Sequence, residues 1–236
     1  MSVDKSNQRI RRMFAAIAPR YDLLNHLLSL NVDRYWRWRT VRLAPPENNA
    51  PILDVCTGTG DLAFAYYKRT GDKVSIVASD FCPQMLQVGQ QKKARAAVNG
   101  RLAFVEADAQ CLPFKDDYFQ LVTAAFGLRN VADTDQGLRE MTRVCQAGGR
   151  VAILEFSMPR IQPFKSIYRW YFQHLLPRVG QVLMRNRESA YSYLPQSVGE
   201  FPSGEALADR MKHAGLGQVS FFPLTLGIAT LYLGRK

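Results

Sequence analysis

The fold of this chain is decided by the stretch Ile52–Asp61, which reads ILDVCTGTGD. It begins with a short apolar run typical of a buried strand, and a glycine turn and the start of a helix follow. Glycines at such a turn let a ligand come close to bare backbone and leave the N–H groups of the next helix available. We therefore predict a strand–turn–helix unit that binds a ligand.

Two carboxylates beside the turn indicate which ligand it binds. The run Gly58–Ala63 fits the dinucleotide fingerprint, with Ala in place of the last Gly. A pyrophosphate, however, would have to lie near Asp54 and Asp61. S-adenosylmethionine (SAM) carries an ammonium and a sulfonium and no phosphate, so it suits this turn better. We predict that Asp54, Gly58 and Gly60 bind SAM, and a dinucleotide oxidoreductase is the alternative.

Size and charge narrow the class of protein. The chain has 236 residues, and its hydrophobic content of 47% is enough for the core of one domain. Lys and Arg number 31 against 20 Asp and Glu, which gives a formal charge of +11. Such a balance suits nucleic acid or lipid headgroups, and a solvated basic surface is the equally weighted alternative.

The cysteines and the N-terminal residues favour a reduced, cytoplasmic protein. The cysteines are Cys56, Cys82, Cys111 and Cys145, and they form no Cys-x-x-Cys pair and no cluster with His. We therefore expect no disulfide framework and no metal site. Residues 1–12 are polar and basic, so we expect no signal peptide, and no run is long and apolar enough to span a membrane.

Residues 1–50 predict a helical N-terminal cap. Apolar residues recur at helical spacing, Pro19 interrupts them, and the loop Ala44–Asn49 ends the cap. The run Arg34–Arg39 reads RYWRWR. It either faces RNA, lipid or an acidic partner, or packs its tryptophans on the core while its arginines reach water. We favour the packed arrangement.

Beyond Pro51 the chain alternates short apolar runs with helical stretches. The predicted strands are Ile52–Cys56, Val74–Ser79, Leu102–Glu106, Phe119–Ala125, Arg150–Phe156, Val219–Leu224 and Ile228–Leu233. Fully apolar strands alternating with helices predict an α/β fold, with a parallel sheet covered on both faces. The last two strands are expected to form an antiparallel hairpin. SAM methyltransferases of the Rossmann-like class have this seven-stranded sheet.

Residues 157–200 break this alternation within the single predicted domain. They are rich in aromatic residues interspersed with Lys and Arg, for example Trp170 and Arg169. The segment is too short and too charged to span a bilayer. A lid over an apolar substrate and a helix lying on a membrane surface are the functional interpretations. Simple packing onto the sheet is the alternative.

Acidic residues follow two further strands. In an open α/β sheet, ligands bind at the carboxyl ends of the strands. Asp80 lies 20 residues beyond Gly60 and can accept hydrogen bonds from ribose hydroxyls. Asp108 can accept from an adenine amine, and the N–H of Ala109 can donate to an adenine ring nitrogen. A helix-capping role for Asp80 and a turn role for Asp108 are the structural alternatives.

The sequence closely resembles the ubiquinone/menaquinone biosynthesis C-methyltransferases, over nearly the whole chain. The matching stretches are Tyr21–Asn25, Leu53–Asp61, Met85–Gly89, Leu112–Phe114, Phe126–Asn130, Leu154–Ser157, Tyr191–Leu194 and Leu224–Ala229. The resemblance implies SAM contacts at Thr59, Asp80, Asp108 and Ala109. The family often has Asn where this chain has Asp108, and a family Ser contact is replaced by Ala125.

The resemblance also implies methyl transfer to a ring carbon of a prenylated quinol. Demethylmenaquinol is the favoured acceptor, and a methoxy-benzoquinol of ubiquinone biosynthesis, or both, is the alternative. Arg129 would stabilise the ionised quinol, Asn130 would hydrogen-bond a quinol oxygen, and Tyr21 would close over the site. A structural ion pair between Arg129 and a nearby Asp, such as Asp133, is the competing interpretation.

A nucleic-acid methyltransferase is the alternative that the positive charge suggests. The chain has no Asn/Asp-Pro-Pro-Tyr/Phe run and no Pro-Cys nucleophile, so we expect no nucleic-acid partner. The basic, aromatic segments around Trp36 and Trp170 instead predict peripheral contact with an anionic membrane surface. We expect a cytoplasmic protein that contacts the inner face of the cell membrane.

Overall fold

The computed structural model describes residues 6–98, 100–159, 161–171, 174 and 190–236. Seven strands form one sheet. They are β1 (Ile52–Val55), β2 (Ile76–Asp80), β3 (Leu102–Glu106), β4 (Phe119–Ala125), β5 (Cys145–Phe156), β6 (Gly217–Leu224) and β7 (Ala229–Arg235). Their order across the sheet is β3-β2-β1-β4-β5-β7-β6. Strands β1 to β5 pair in parallel, and β7 runs antiparallel between β5 and β6, as predicted.

Helices cover the sheet and precede it. They are α1 (Asn7–Ile17), α2 (Tyr21–Leu28), α3 (Val32–Leu43), α4 (Asp61–Thr70), α5 (Pro83–Arg95), α6 (Thr134–Val144), α7 (Phe164–Trp170), α8 (Ala190–Glu200) and α9 (Glu205–His213). A 3-10 turn over Ala18–Arg20 separates α1 from α2. Pro19 lies in that turn, because proline lacks the N–H that a continuous helix needs.

The alternating side chains of β1 show how the core is divided between the two faces of the sheet. Leu53 and Val55 pack on one face with residues of α6 and α9. Ile52 packs on the other face with Trp36 of α3 and Tyr66 of α4. Burial on both faces explains why the parallel strands read as continuous apolar runs.

Five of the seven strands have boundaries that differ from the prediction: those of β2, β6 and β7 move by one or two residues. The differences at β1 and β5 have a clear local cause. β1 ends at Val55 because Cys56 has a φ of +52°, which takes the chain out of the extended conformation. β5 begins at Cys145 instead of Arg150 because Cys145 already pairs with Phe119, and an irregularity in register follows.

The two tryptophans of the aromatic run have different environments. Trp36 is 3% exposed and packs against Phe126 and Phe156, and its Nε1 donates to Thr225 at 2.8 Å. Trp38 is 48% exposed, with the guanidinium of Arg42 above its ring. The predicted packing on the core is therefore right for Trp36 and wrong for Trp38, and Trp36 itself does not face a membrane surface.

The aromatic segment of residues 157–200 is described at its two ends. Tyr168 of α7 is buried and Trp170 is exposed. The segment also contains Phe172, Leu175, Leu176 and Arg178, which lie outside the described residues. In the part of the chain that the structure describes, no helix combines the length and the apolar character needed to cross a bilayer.

Candidate active site

The glycine turn between β1 and α4 has the backbone conformation that its sequence predicts. Gly58 and Gly60 have φ values of +58° and +88°, in the left-handed region that glycine adopts at no steric cost. A Cβ on Gly60 would also lie 2.9 Å from the ring of Phe104. Gly60 caps the N-terminus of α4 and does not line the pocket described next. Gly60 therefore contributes to the site by allowing the backbone conformation of the turn.

A pocket opens at the carboxyl ends of the parallel strands and holds about 820 Å³ of empty space, its mouth included; we call it the polar pocket. Eight of the predicted site residues line it: Tyr21, Asp54, Gly58, Thr59, Asp80, Asp108, Ala109 and Asn130. They come from β1 and the glycine turn after it, from β2, from the segments after β3 and β4, and from α2. The position agrees with the rule for ligand sites in open α/β sheets.

Two of these carboxylates are buried deeply enough to change their proton affinity. Asp54 is 1% exposed and accepts hydrogen bonds from Thr57 and Thr123, and burial raises its pKa to about 6. Asp80 accepts from the backbone N–H groups of Gly58 and Cys82, at 2.8 and 2.9 Å, and burial also raises its pKa to about 6. Buried carboxylates that face a pocket favour a cationic ligand with hydroxyl donors. SAM, with its ammonium, sulfonium and ribose, fits this set.

Asp108 and Ala109 form the part of the pocket predicted to contact adenine. The Asp108 carboxylate accepts from Asn7 Nδ2 at 3.0 Å and from the Gln110 backbone N–H at 2.9 Å. Ala109 is 5% exposed and lines the pocket. Because Asn7 belongs to α1, the N-terminal cap reaches the pocket at this end as well.

A second, larger cavity adjoins the polar pocket; we call it the apolar cavity. It holds about 1540 Å³ of empty space, mouth included. Its lining is mostly apolar or aromatic and comes from the N-terminal helices, the segment after β4, the end of β5, α7, α8 and the β6–β7 connection. Examples are Leu28, Phe156, Tyr168 and Ile228. Four residues line both spaces: Phe14, Tyr21, Arg37 and Phe126. The two spaces therefore meet at these side chains.

Arg129 lines the apolar cavity and not the polar pocket. Its Nη1 donates to both oxygens of Glu155, at 3.0 and 3.3 Å, and to the Phe126 carbonyl. The structure thus forms the ion pair that the competing interpretation expected, but the partner is Glu155. Asp133 instead caps α6 by accepting from the Gln136 N–H. Arg129 Nε is buried without a hydrogen-bond partner among the described residues. One N–H of this cation is thus left without an acceptor in the described part of the chain.

Asn130 and Tyr21 lie closer to the polar pocket. Asn130 lines it, and its Oδ1 accepts a hydrogen bond from the Tyr193 hydroxyl of α8 at 3.0 Å. Tyr21 lies between the two spaces, and burial raises the pKa of its phenol, so the phenol stays neutral near pH 7. The structure therefore brings Tyr21 and Asn130 together at one pocket and Arg129 to the adjoining cavity.

A chain of charges connects the N-terminal cap to the turn. Lys92 of α5 contacts Asp22 at 2.7 Å and Asp61 at 2.5 Å. Arg37 of α3 contacts Asp61 at 3.4 Å and also pairs with Asp33. Although burial opposes it, the two cations hold the pKa of Asp61 below its usual range. The cap is thus fastened to the residue that follows the glycine turn.

Sequence reasoning missed several residues of the site. Lys92 and Glu155 carry no motif that reveals their partners. Arg37 had a usable signal, because the inward positions of α3 are Asp33, Trp36 and Thr40, and Arg37 falls on the same side of the helix. Phe81, directly after Asp80, also lines the polar pocket.

With this geometry established, comparison with known proteins identifies the family. The model of the ubiE/COQ5 methyltransferase family matches residues 2–236. The chain belongs to this family. The predicted methyltransferase activity and fold are thereby confirmed, and the methyl donor of this methyltransferase is SAM. The dinucleotide oxidoreductase alternative for the glycine turn is discarded.

Individual relatives support the same assignment. The methyltransferase is 46% identical to the ubiquinone/menaquinone biosynthesis C-methyltransferase UbiE of Geotalea daltonii, over 98% of each chain. It is 47% identical to the demethylmenaquinone methyltransferase of Deinococcus radiodurans, over 97% of this chain and 93% of that protein. A SAM-dependent methyltransferase from Aquifex aeolicus has a similar fold, with a TM-score of 0.60 at 15% identity, covering 84% of this chain and 88% of that one.

Proposed function

We propose that this protein transfers a methyl group from SAM to a ring carbon of a prenylated quinol in respiratory quinone biosynthesis, with demethylmenaquinol as the first acceptor. One observation carries the proposal: a polar pocket lined by buried carboxylates adjoins a large apolar cavity at Tyr21, Arg37 and Phe126. The polar pocket suits a charged nucleoside donor. The apolar cavity suits an acceptor with a hydrocarbon tail.

The proposed reaction is an in-line displacement. Ionisation of a quinol hydroxyl raises electron density on the neighbouring ring carbon, which attacks the methyl group. The new C–C bond forms as the C–S bond breaks, and the electron pair of that bond returns to sulfur. Loss of the ring proton to water then restores the aromatic ring as a quinol anion, which takes up a proton in place of the one lost on ionisation. The products are methylated quinol, S-adenosylhomocysteine and one proton.

Arg129 has the chemistry to stabilise the ionised quinol. It is a permanently charged group that is 6% exposed, at a cavity with a mostly apolar lining. Glu155 holds the guanidinium through Nη1, while Nε has no partner among the described residues. An oxyanion in the cavity would supply the missing acceptor.

Tyr21 and Asn130 are assigned to orientation at the junction of the two spaces. Tyr21 is neutral, so its hydroxyl can donate to a quinol oxygen or accept from a quinol hydroxyl. Asn130 has its Oδ1 bonded to Tyr193, which leaves the amide N–H groups to donate. Ordered donors at the reacting oxygen favour the attacking geometry.

The protein is proposed to contact the inner, cytoplasmic face of the cell membrane and to take up its hydrophobic acceptor there. Three elements that line the apolar cavity each carry an exposed apolar side chain: Leu30, Trp170 and Leu226. Arg169 is exposed beside Trp170. This composition suits an anionic lipid surface. Flotation with vesicles that contain anionic lipid tests it, and a protein that stays wholly unbound would contradict it.

A second acceptor is favoured by the names of the relatives. The Geotalea daltonii protein is named for both ubiquinone and menaquinone biosynthesis, and the Deinococcus radiodurans protein for demethylmenaquinone alone. We therefore keep the methoxy-benzoquinol with a prenyl chain as the second candidate, together with activity on both rings.

The test is a methyl-transfer assay with labelled SAM and each of the two chemically reduced quinols, with products separated by chromatography. We expect label in menaquinol, and activity on the benzoquinol decides between one acceptor and two. Label in neither product, from a protein that binds SAM in calorimetry, would contradict the proposed acceptor class.

A further inference from the structure

The charges around the polar pocket leave one part of SAM unmatched. Four carboxylates line this pocket: Asp54, Asp61, Asp80 and Asp108. They suit the ammonium, sulfonium and hydroxyl groups of SAM. The methionine part of SAM also bears a carboxylate, which acidic side chains repel. Among the described residues that line the polar pocket, Arg37 is the one cation.

Arg37 is built into the structure with one side of its guanidinium fixed and the other loosely held. Its side chain is 11% exposed, and Nη1 donates to Asp33. Nη2 lies 3.4 Å from Asp61, which is a long contact for a charged pair. Asp61 has a closer partner in Lys92, at 2.5 Å. Nη2 can therefore turn to another carboxylate without leaving Asp61 unpaired.

The anchor of Arg37 is itself held in place. Asp33 is 3% exposed and accepts hydrogen bonds from Ser29 at 2.7 Å and from His26 at 2.8 Å. Burial opposes ionisation, but the Ser29 bond and the charge of Arg37 keep the pKa of Asp33 below its usual range. The anchor therefore stays charged at neutral pH, and its own partners restrict its movement.

Ligand atoms of His26, Asp33 and Asp61 lie within 4.8 Å of one another, a composition that also suits a cation. Arg37 contacts both carboxylates of this group, so its guanidinium already supplies the positive charge there. We therefore interpret these three side chains as a group that holds Arg37 in position.

We propose that Arg37 binds the methionine carboxylate of SAM, and that Asp33 is the positioning residue that aims its guanidinium. The proposal rests on the dependence of this family on SAM and not on the identity of the methyl acceptor. It gives the N-terminal cap a direct part in donor binding, because Arg37 lies on α3 and meets the glycine turn only when the cap is in place.

Calorimetry with three ligands tests this assignment. SAM carries the carboxylate, decarboxylated SAM lacks it but keeps the ammonium, and methylthioadenosine lacks the whole amino-acid part. Wild-type protein should bind SAM about 10- to 100-fold more tightly than decarboxylated SAM, the range for a hydrogen bond to a charged group. In Arg37→Met this preference should fall to about twofold or less, because the charged hydrogen bond is lost.

Two controls separate this role from general damage. Methylthioadenosine should bind Arg37→Met as it binds wild type, which shows that the nucleoside end is intact. Arg34→Met removes an exposed cation from the same helix and should keep the full preference for SAM. Should Arg37→Met fail to fold, Asp33→Asn loosens the anchor and should give an intermediate preference.

Three results would overturn the proposal. The first is wild-type protein that does not discriminate between SAM and decarboxylated SAM. The second is an Arg37→Met variant that still prefers SAM to decarboxylated SAM. That result would assign the methionine carboxylate to the backbone N–H groups of the glycine turn. The third is Arg37→Met that loses turnover with the preference intact, which would place Arg37 on the acceptor side. A wrong acceptor would leave all of these affinities unchanged, so it is distinguishable.

Discussion

The hydroxyl of Tyr193 donates a 3.0 Å hydrogen bond to Oδ1 of Asn130, although 63 residues separate them in the chain. Tyr193 is 4% exposed and lines the apolar cavity, whereas Asn130 lines the polar pocket. The bond thus joins α8 to the edge of the sheet where donor and acceptor are proposed to meet. It also fixes which end of the Asn130 amide faces the pocket.

Tyr193→Phe removes this bond and keeps the ring. We expect kcat to fall about five- to tenfold, since a bond worth about 1 kcal/mol orients Asn130, with SAM affinity unchanged. Steady-state kinetics and calorimetry measure the two effects. Tyr118→Phe, at a 51% exposed site, is the matched control. Equal kcat values for Tyr193→Phe and Tyr118→Phe would show that the orientation of Asn130 by Tyr193 does not contribute to turnover.

Asp80→Asn tests the proposed ribose contact. The amide keeps an oxygen for the Gly58 N–H but loses the negative charge, so SAM should bind about 10- to 100-fold more weakly. Asp209→Asn, on the exposed side of α9, should leave the affinity unchanged. Near-normal SAM affinity of Asp80→Asn in calorimetry would show that Asp80 does not bind the ribose of SAM.

SAM affinity should depend on pH through Asp54 and Asp80. Burial raises the pKa of each to about 6, so both are ionised at pH 7 and become protonated below about pH 6. A cationic donor binds the ionised forms, so affinity should be flat near pH 7 and fall by roughly tenfold or more toward pH 5.

Calorimetry between pH 5 and pH 7, at constant ionic strength, measures this dependence. Asp54→Asn should flatten the slope by removing one of the two titrating groups. An affinity that is constant over this range, or that rises as pH falls, would show that these carboxylates do not face the donor's charge.

Substitutions at Arg129 and Glu155 distinguish a catalytic role of this ion pair from a purely structural one. Arg129→Gln leaves Glu155, which is 1% exposed, without its cation and should cost about 3–5 kcal/mol of unfolding free energy. The double variant Arg129→Gln/Glu155→Gln removes both charges, so its stability should be close to that of wild type.

Turnover should behave differently from stability in these variants. Both variants should lose about 100- to 1000-fold in kcat, because each lacks the cation that stabilises the quinol oxyanion. SAM affinity of the double variant should stay within a few-fold of wild type. A stable double variant with turnover close to wild type would show that the ion pair is structural only.

Much of the polar pocket was predictable because its residues lie at or near strand ends with regular spacing. Asp54 is the penultimate residue of β1, Asp80 ends β2 and Asp108 follows β3, and a parallel sheet brings such positions to one edge. The glycine turn was equally predictable, because few residues other than glycine adopt the positive φ found at Gly58 and Gly60. Local sequence sets both features.

The remainder depends on tertiary partners that local sequence does not reveal. Arg129 follows β4 and pairs with Glu155, near the end of the neighbouring strand β5. It does not pair with Asp133, which is closer in the chain. Trp36 is buried and Trp38 exposed because of the rotation of α3 against the sheet. The shared lining of the two spaces arises only when the N-terminal helices lie over the strand ends.

The central claim is that the methyl group goes to a ring carbon of a prenylated quinol, and carbon-13 NMR tests it most directly. Purified protein is given SAM labelled with carbon-13 in its methyl group and reduced demethylmenaquinone, and the extracted product is examined. We predict one labelled resonance in the region of a methyl group on an aromatic carbon, coupled to that ring carbon. A labelled resonance in the methoxy region, or label that never enters the quinone fraction, would contradict the account.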